Sequence, residues 1–402
     1  MFKRDAYISK IRPFIDKEQI KVLSGMRRTG KSFMLELIKE ELLEQGINQS
    51  QIISMNFEQM KHANLLNDKS LHEEISRISI ETNKKLYLFF DEIQEVANWE
   101  KAINSFRVDF PCDIYITGSN AKLMSGELAT LIAGRYVTFT VYPLSYKEYL
   151  TVLEDDNRVE DGDPFAEYIR LGGMPGLINL IAEPDSAKDY LIDIFNSIIL
   201  KDIIKRNNIR DVDLLERIVK YIIGDIGHIF SGTGISKYFK SENRIVAPET
   251  ILNYIKACRD AFLLYGANRR DLIGKKVLKS NEKYYIADHG IREAIFGNNQ
   301  ANIDQVFENI IYLELLRRGY DITVGKIDKR EIDFIGQRGT QKVYIQVCYL
   351  LNDNNTKKRE FGVFATINDN YPKYVVSYDD FDMSQDGILH RNIKEFLLSS
   401  DW

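Results

Sequence analysis

The sequence predicts an α/β protein on three observations. Near the N-terminus a glycine-rich turn lies between a short β run and a helix. Two further apolar runs, 86–90 and 113–117, have the unbroken character of strands buried in a parallel sheet. The last third sets one helix against several strand-like pieces. The expected order is a parallel-sheet domain, a helical segment, and an α+β domain at the end. A chain of 402 residues is too long for one ordinary core, so several domains are expected.

The first β run holds Ile20, Val22 and Leu23 and leads into Gly25-Met26-Arg27-Arg28-Thr29-Gly30-Lys31-Ser32, which fits GxxxxGK[ST] at every fixed position. The helix that follows starts at Phe33, keeps Leu35, Ile38 and Leu42 on one face and stops at Gly46. Strand, loop and helix in this order are the setting that a phosphate-binding loop requires. Gly25 and Gly30 let the backbone curl until its N–H groups point at phosphate oxygens, and the helix N-terminus adds partial positive charge. The expected cradle runs from Gly25 to Phe33, with Lys31 on the β and γ phosphates and Ser32 on Mg2+.

Leu86-Tyr87-Leu88-Phe89-Phe90 ends in Asp91-Glu92. Ligands bind at the C-terminal ends of strands in open α/β sheets, so Asp91 is expected on the metal and Glu92 as general base toward the attacking water. The run 113–117 leads into Gly118-Ser119-Asn120, where Ser119 or Asn120 is placed to orient water or sense phosphate. Arg135, before the strand 136–141, is a candidate arginine finger, since charge growing on the γ-phosphate calls for a second cation. ATP and Mg2+ are therefore the expected cofactors.

The motifs GMRRTGKS, LFFDEIQEV followed by Trp99, ITGSN, LIAGRYVTFTVYPLSYKEYL and GGMPG resemble a prokaryotic family of AAA-type P-loop ATPases, akin to archaeal-type ATPases, with a C-terminal domain of uncertain role. The resemblance implies Walker A, Walker B and sensor roles for Lys31 and Ser32, Asp91 and Glu92, and Asn120 respectively. It also implies that Leu171–Gly176 begins the passage into the C-terminal part.

The acidic stretch from Glu154 to Pro164 reads as a boundary loop. Beyond it, 165–208 is largely helical by pattern, with Lys201, Lys205, Arg206 and Arg210 as a solvated basic edge. From 214 to 297 three helices and a two-stranded wing are expected, the second helix capped by Ser231 and the third opened by Pro248; this is the winged-helix order. Asn253 and Lys256 would face outward on the third helix, and Arg269, Arg270, Lys275, Lys276 and Lys279 would make the wing basic. Those are the candidate contacts to double-stranded DNA.

From Glu308 a helix ends at Gly319, and strand-like pieces follow at 320–324, 331–335 and 343–348. This resembles the restriction-endonuclease-like fold, which implies that Glu308, Asp333 and Gln346 converge on Mg2+. The lysine of that pattern is missing, because Cys348 stands two residues after Gln346. The expectation is a vestigial site with phosphodiesterase chemistry lost or nearly lost.

The expected domains are 1–153, 164–212, 213–298 and 299–402. The net charge of −5 restricts contact with nucleic acid to a local patch. No apolar run is long enough to span a bilayer and no secretory h-region is visible, while three well-separated cysteines fit a reducing cytoplasm. The expected function is an ATP-hydrolysing switch acting on DNA or a protein partner, with room for an oligomer. The alternatives are an ATP-regulated nuclease and a protein-binding scaffold that does not hydrolyse ATP.

Overall fold

The computed structural model describes residues 3–121, 134–155, 162–272, 274, 276–277, 282–327 and 330–400. Part of the acidic stretch (156–161) and the expected wing lysines Lys275 and Lys279 lie outside them, and of Lys276 only the backbone is described. The chain forms two compact units, residues 1–141 with 260–262, and 142–259 with 263–402.

The first unit is built on a parallel five-stranded sheet: β1 (Ile20–Ser24), β2 (Ile52–Asn56), β3 (Leu86–Asp91), β4 (Cys112–Gly118) and β5 (Tyr136–Thr140), in the order β2-β3-β4-β1-β5. Helix α1 (Asp5–Ile11) precedes it; α2 (Lys31–Glu44), α3 (Asp68–Thr82) and α4 (Trp99–Asp109) connect its strands. The apolar runs read as strands are strands because they are covered on both faces: β3 is buried throughout, and Leu88, Phe90, Trp99, Phe106 and Ile116 share one core. Lys21 on β1 and Asp113 on β4 form a fully buried ion pair, and Asp113 also accepts from the Asp16 N–H (2.8 Å) and the Tyr115 hydroxyl (2.9 Å). A buried carboxylate with this many donors is satisfied, so the pair reads as structural.

The second unit begins with α5 (Tyr146–Asp155), α6 (Pro164–Leu171) and α7 (Pro184–Ser197), the last running on into a π-helix over Ile198–Lys205. Lys201, Lys205 and Arg210 are exposed as expected, whereas Arg206 turns to the buried Asp202 (3.3 Å). Next come α8 (Val212–Gly224), β6 (Ile229–Phe230), α9 (Gly232–Ser241), α10 (Pro248–Asp260), β7 (Leu264–Asp271), β8 (Lys276–Val277) and β9 (Glu282–Ile286). Ser231 caps α9 by accepting from the Gly234 N–H (3.0 Å). The chain continues through α11 (His289–Phe296), α12 (Ile303–Arg317), β10 (Asp321–Ile327), β11 (Arg330–Arg338), β12 (Gln341–Val347), α13 (Asn354–Gly362), β13 (Lys373–Ser377), β14 (Leu389–Asn392) and α14 (Ile393–Leu398).

Three helices and an antiparallel strand pair do follow one another over 212–286. Past that pair, however, β7 runs parallel to β10, with Asn268 opposite Thr323, so the strands join one sheet in the order β14-β13-β12-β11-β10-β7-β9-β6. The expected boundary near 298 therefore falls within a single unit that shares a continuous sheet.

The GGMPG motif has a packing explanation. A Cβ on Gly173 would lie 2.2 Å from the Leu144 carbonyl oxygen, so no other residue fits there. The Gly173 N–H donates to the buried Asp288 (2.7 Å), which also accepts from Gly290 (2.9 Å) and Ile291 (3.3 Å) at the start of α11. One carboxylate thus caps α11 and holds the glycine turn after α6 against it. Asp288→Ala strands these buried N–H groups at about 1–3 kcal/mol each, so a loss of roughly 3 kcal/mol or more is expected in urea unfolding. An unchanged unfolding midpoint would contradict the bracket.

Candidate functional site

The order of the first sheet decides where its chemistry gathers. Strand β4 lies between β1 and β3, and all three are parallel, with Ser24 opposite Gly118 and Phe90 opposite Ile116. The turn after β1, the acidic pair ending β3 and the Gly118-Ser119-Asn120 turn after β4 therefore emerge at one edge.

In the first turn Gly25 has φ 143°, and a Cβ there would lie 2.3 Å from the Val141 carbonyl oxygen. Arg28 and Gly30 also have positive φ, at 64° and 94°. The curl is pinned from inside, since the Thr29 hydroxyl donates to the Met26 carbonyl (2.9 Å), and from outside, since the buried Arg4 donates to the Thr29 carbonyl (3.0 Å). Lys31 is buried and donates to the carbonyls of Gly25 (3.1 Å) and Met26 (3.0 Å), which holds its ammonium at the loop. No side chain caps α2, whose N-cap is Gly30, so its first N–H groups are left for an anion. Ser32 is exposed on the first turn, Phe33 is partly buried, and Arg27 donates to Glu58 (3.2 Å).

Thr117 ties the acidic pair to the neighbouring strand. Its hydroxyl donates to Asp91 Oδ1 and accepts the Glu92 N–H (2.9 Å), while Asn56 Nδ2 donates to Asp91 Oδ2 (2.8 Å). Glu92 sits at φ 53°, a left-handed conformation that is costly for a glutamate and common at functional turns. Burial pushes its carboxyl above the ordinary range, against the charge of Lys31, a hydrogen bond from Gln94 and the charge of Arg27, with Asp91 adding to the rise. Ser119 and Asn120 are both buried beside this edge.

These groups fit a nucleotide with Mg2+. A hydroxyl (Ser32), a carboxylate (Asp91) and phosphate oxygens are the hard donors that this ion takes. Among the described residues no group of three or more His, Cys, Asp or Glu is set to hold a metal ion.

Arg135 does not join them. Its backbone carbonyl accepts from Ile20 at the start of β1 (2.9 Å), and its guanidinium donates to Asn104 (2.9 Å). The phosphate-binding turn leaves the far end of β1, about 16 Å away at strand rise. An arginine finger from Arg135 to its own chain's site is thus ruled out, because parallel strands send their two ends to opposite edges.

In the second unit, Asn253 and Lys256 are exposed on α10. Arg269 is turned inward instead: its side chain is 12% exposed and pairs with Glu331 across the sheet, so it is not a free DNA contact. Arg270 lies partly buried, opposite Gly325 and Val277. Glu308 on α12, Asp333 on β11 and Gln346 on β12 do come together, lining a cleft of about 600 Å³ along with His228, Glu331 and Cys348. Asp333 accepts from the Val347 N–H (2.9 Å), and Gln346 Oε1 accepts from the Asp333 N–H (3.3 Å). The cleft also receives a cation that the sequence reading missed. Lys283 Nζ, from β9, lies 3.4 Å from Glu308 and 3.5 Å from Asp333. Burial works against its charge, but Glu308, Asp333 and Glu331 outweigh that, and its pKa stands above the ordinary value. Burial and Asp333 push Glu308 up to about 8 in spite of Lys283. Lys342 on β12 pairs with Asp369 (3.2 Å).

A family model described as an AAA domain matches residues 17–150, and one described as a domain of unknown function matches 162–302. An uncharacterized protein of Haemophilus influenzae is 36% identical over all of this chain and 98% of its own length. The uncharacterized protein MJ1544 of Methanocaldococcus jannaschii is 30% identical over 90% of this chain and 82% of its own. The chain belongs to this family of AAA-domain proteins. Solved structures with a weaker likeness include the Aeropyrum pernix ORC1 protein in complex with DNA (12% identity, 75% of this chain and 94% of that one, TM-score 0.33) and AMPPCP-bound DnaA from Aquifex aeolicus (14%, 64% and 88%, TM-score 0.35). Both are too distant to bear on function.

Within this AAA domain, Thr117→Val keeps the shape but leaves a buried carboxylate oxygen and the Glu92 N–H without their partner. The expected cost is about 2 kcal/mol in thermal unfolding, together with weaker Mg2+-dependent binding of a non-hydrolysable ATP analogue. A variant with wild-type stability and affinity would remove Thr117 from the account.

Proposed function

We propose that the protein binds ATP with Mg2+, hydrolyses it, and uses the nucleotide state as a switch for a macromolecular partner. The observation that carries this reading is the convergence of Lys31, Asp91, Glu92 and Asn120 at one sheet edge, with Thr117 fixing the acidic pair.

Backbone N–H groups of the Gly25–Phe33 turn and the Lys31 ammonium receive the phosphates; Ser32 and Asp91 would hold Mg2+, which when bound would withdraw charge from the phosphate oxygens. Glu92 takes a proton from the attacking water, and its left-handed backbone with the Gln94 hydrogen bond sets the direction of its carboxylate. Asn120 orients that water. Glu92→Gln is expected to keep ATP affinity and to slow turnover by ~10²–10⁴, whereas Asp91→Asn loses the metal-dependent part of binding. Phosphate-release kinetics beside equilibrium binding check both. Wild-type turnover in Glu92→Gln would place the base elsewhere.

The proposed partner is double-stranded DNA, met by a winged-helix arrangement over α8–α10 and β7–β9. With Arg269 committed to Glu331, the contact rests on the exposed Asn253 and Lys256 and on Lys237 and Lys240 of α9, also exposed. A protein partner is the second reading, favoured by the exposed apolar Tyr238, Ile245 and Leu252 on the same segment. Turnover measured with and without duplex separates the two. A cytoplasmic setting fits the three free cysteines, and among the described residues no helix is long and apolar enough to cross a membrane.

A further inference from the structure

The turn after β3 carries a polar atom that the proposed hydrolysis does not use. Ile93 is buried and anchors this turn in the core of the first unit. The Glu95 and Val96 N–H groups close it by donating to the carbonyls of Glu92 (3.1 Å) and Ile93 (3.0 Å). Gln94 therefore follows Glu92 on a fixed single turn of 3-10 helix, Ile93–Glu95. Its side-chain nitrogen donates to Glu92 Oε2. The oxygen on the other branch of that planar amide is buried and meets no donor among the described residues. Buried acceptors left without a donor are costly, and native proteins meet nearly all of them with protein or with water. This one stands an amide's width from the carboxylate proposed as the base. Of the charges around Glu92, that of Lys31 is felt most, which puts the carboxylate on the phosphate side of the turn. An unmet acceptor beside a base is where a water held for attack finds its second partner.

We propose, resting on the ATPase reading above, that Gln94 is a further catalytic residue: its side-chain oxygen accepts one hydrogen of the attacking water while Glu92 accepts the other. A water molecule has two hydrogens and two lone pairs. With Gln94 and Glu92 on the hydrogens and Asn120 donating to one lone pair, the remaining lone pair is the one left for phosphorus. The water oxygen forms a bond to the γ-phosphorus. The bond from that phosphorus to the β–γ bridging oxygen breaks, and its electron pair leaves with ADP. The hydrogen on Glu92 crosses to the carboxylate as a proton and is later returned to solvent. The hydrogen on Gln94 stays on the oxygen of the released phosphate. One amide binds the base through its nitrogen and the nucleophile through its oxygen, so it also sets the separation between them. Alignment of this kind lowers the barrier by position alone.

The test compares the full-length wild type with Gln94→Met, which keeps the length of the side chain and removes both of its polar atoms. Three quantities are measured with Mg2+ present: turnover of ATP, affinity for ADP, and affinity for ADP with aluminium fluoride, which mimics the transferring phosphoryl group with its axial water. Gln94→Met is expected to turn over ~10²-fold more slowly and to bind ADP within about threefold of the wild type. Its affinity for the aluminium fluoride complex is expected to fall by a factor close to that lost in turnover, since the contact is made to the attacking water. A structural role would move both affinities together, and a misfolded variant would lose both. Wild-type turnover in Gln94→Met, or an equal loss of the two affinities, would overturn the inference and leave the ATPase reading standing. Absence of ATP turnover in the wild type would remove that reading, and the inference with it.

Discussion

The approach of Gly25 to the Val141 carbonyl fixes the geometry from which the first unit's chemistry follows. With a built Cβ only 2.3 Å from that oxygen, the backbone after β1 can pass only as glycine. Its positive φ turns the chain back over the end of the strand. Lys31 then finds its acceptors inside the loop, and α2 starts without a side-chain cap. A loop tied at both ends, by β1 and by α2, has few ways to relax, and Arg4 and Thr29 remove more of them. Order of this kind, already present in the protein, need not be created when an anion arrives.

The parallel sheet brings the acidic pair to the same place. Placing β4 between β1 and β3 leaves a strand's width between the phosphate-binding turn and Asp91, and Thr117 fills it by bonding Asp91 and Glu92 together. Two adjacent carboxyl groups are thereby given different surroundings. Asp91 is held by Thr117 and Asn56, whereas Glu92 is turned by its left-handed backbone toward Gln94 and raised by burial. One sequence step separates the proposed metal ligand from the proposed base, and the backbone changes conformation between them.

Much of the first unit was legible because its signals are local. The GxxxxGK[ST] turn, the apolar run before Asp91 and the stop at Gly46 each depend on a few neighbouring residues. What escaped depends on residues distant in sequence. Thr117 and Asn56 look like ordinary strand polar residues until β4 and β2 are placed on either side of β3. Arg135 looked available until the parallel pairing put it at the opposite edge. In the second unit the helices and strands were mostly visible, but β7 joining β10 was not, and that pairing turns Arg269 toward Glu331. Lys283 was hidden for the same reason. It is a charged residue between Glu282 and two tyrosines in a short strand, and only the sheet directs it to Glu308 and Asp333. Cys348 does line the cleft with Glu308 and Asp333, and Lys283 reaches the same carboxylates from another strand.

Equilibrium binding of ATP with Mg2+ to the wild type and to Lys31→Ala, each shown to be folded by circular dichroism, decides whether this loop receives a nucleotide. Lys31 is a buried cation at the loop, and removing a buried charge from a charged ligand costs about 2–5 kcal/mol. Tight binding is expected of the wild type, and affinity lower by at least ~30-fold of the variant. Equal affinities in two folded proteins would contradict it.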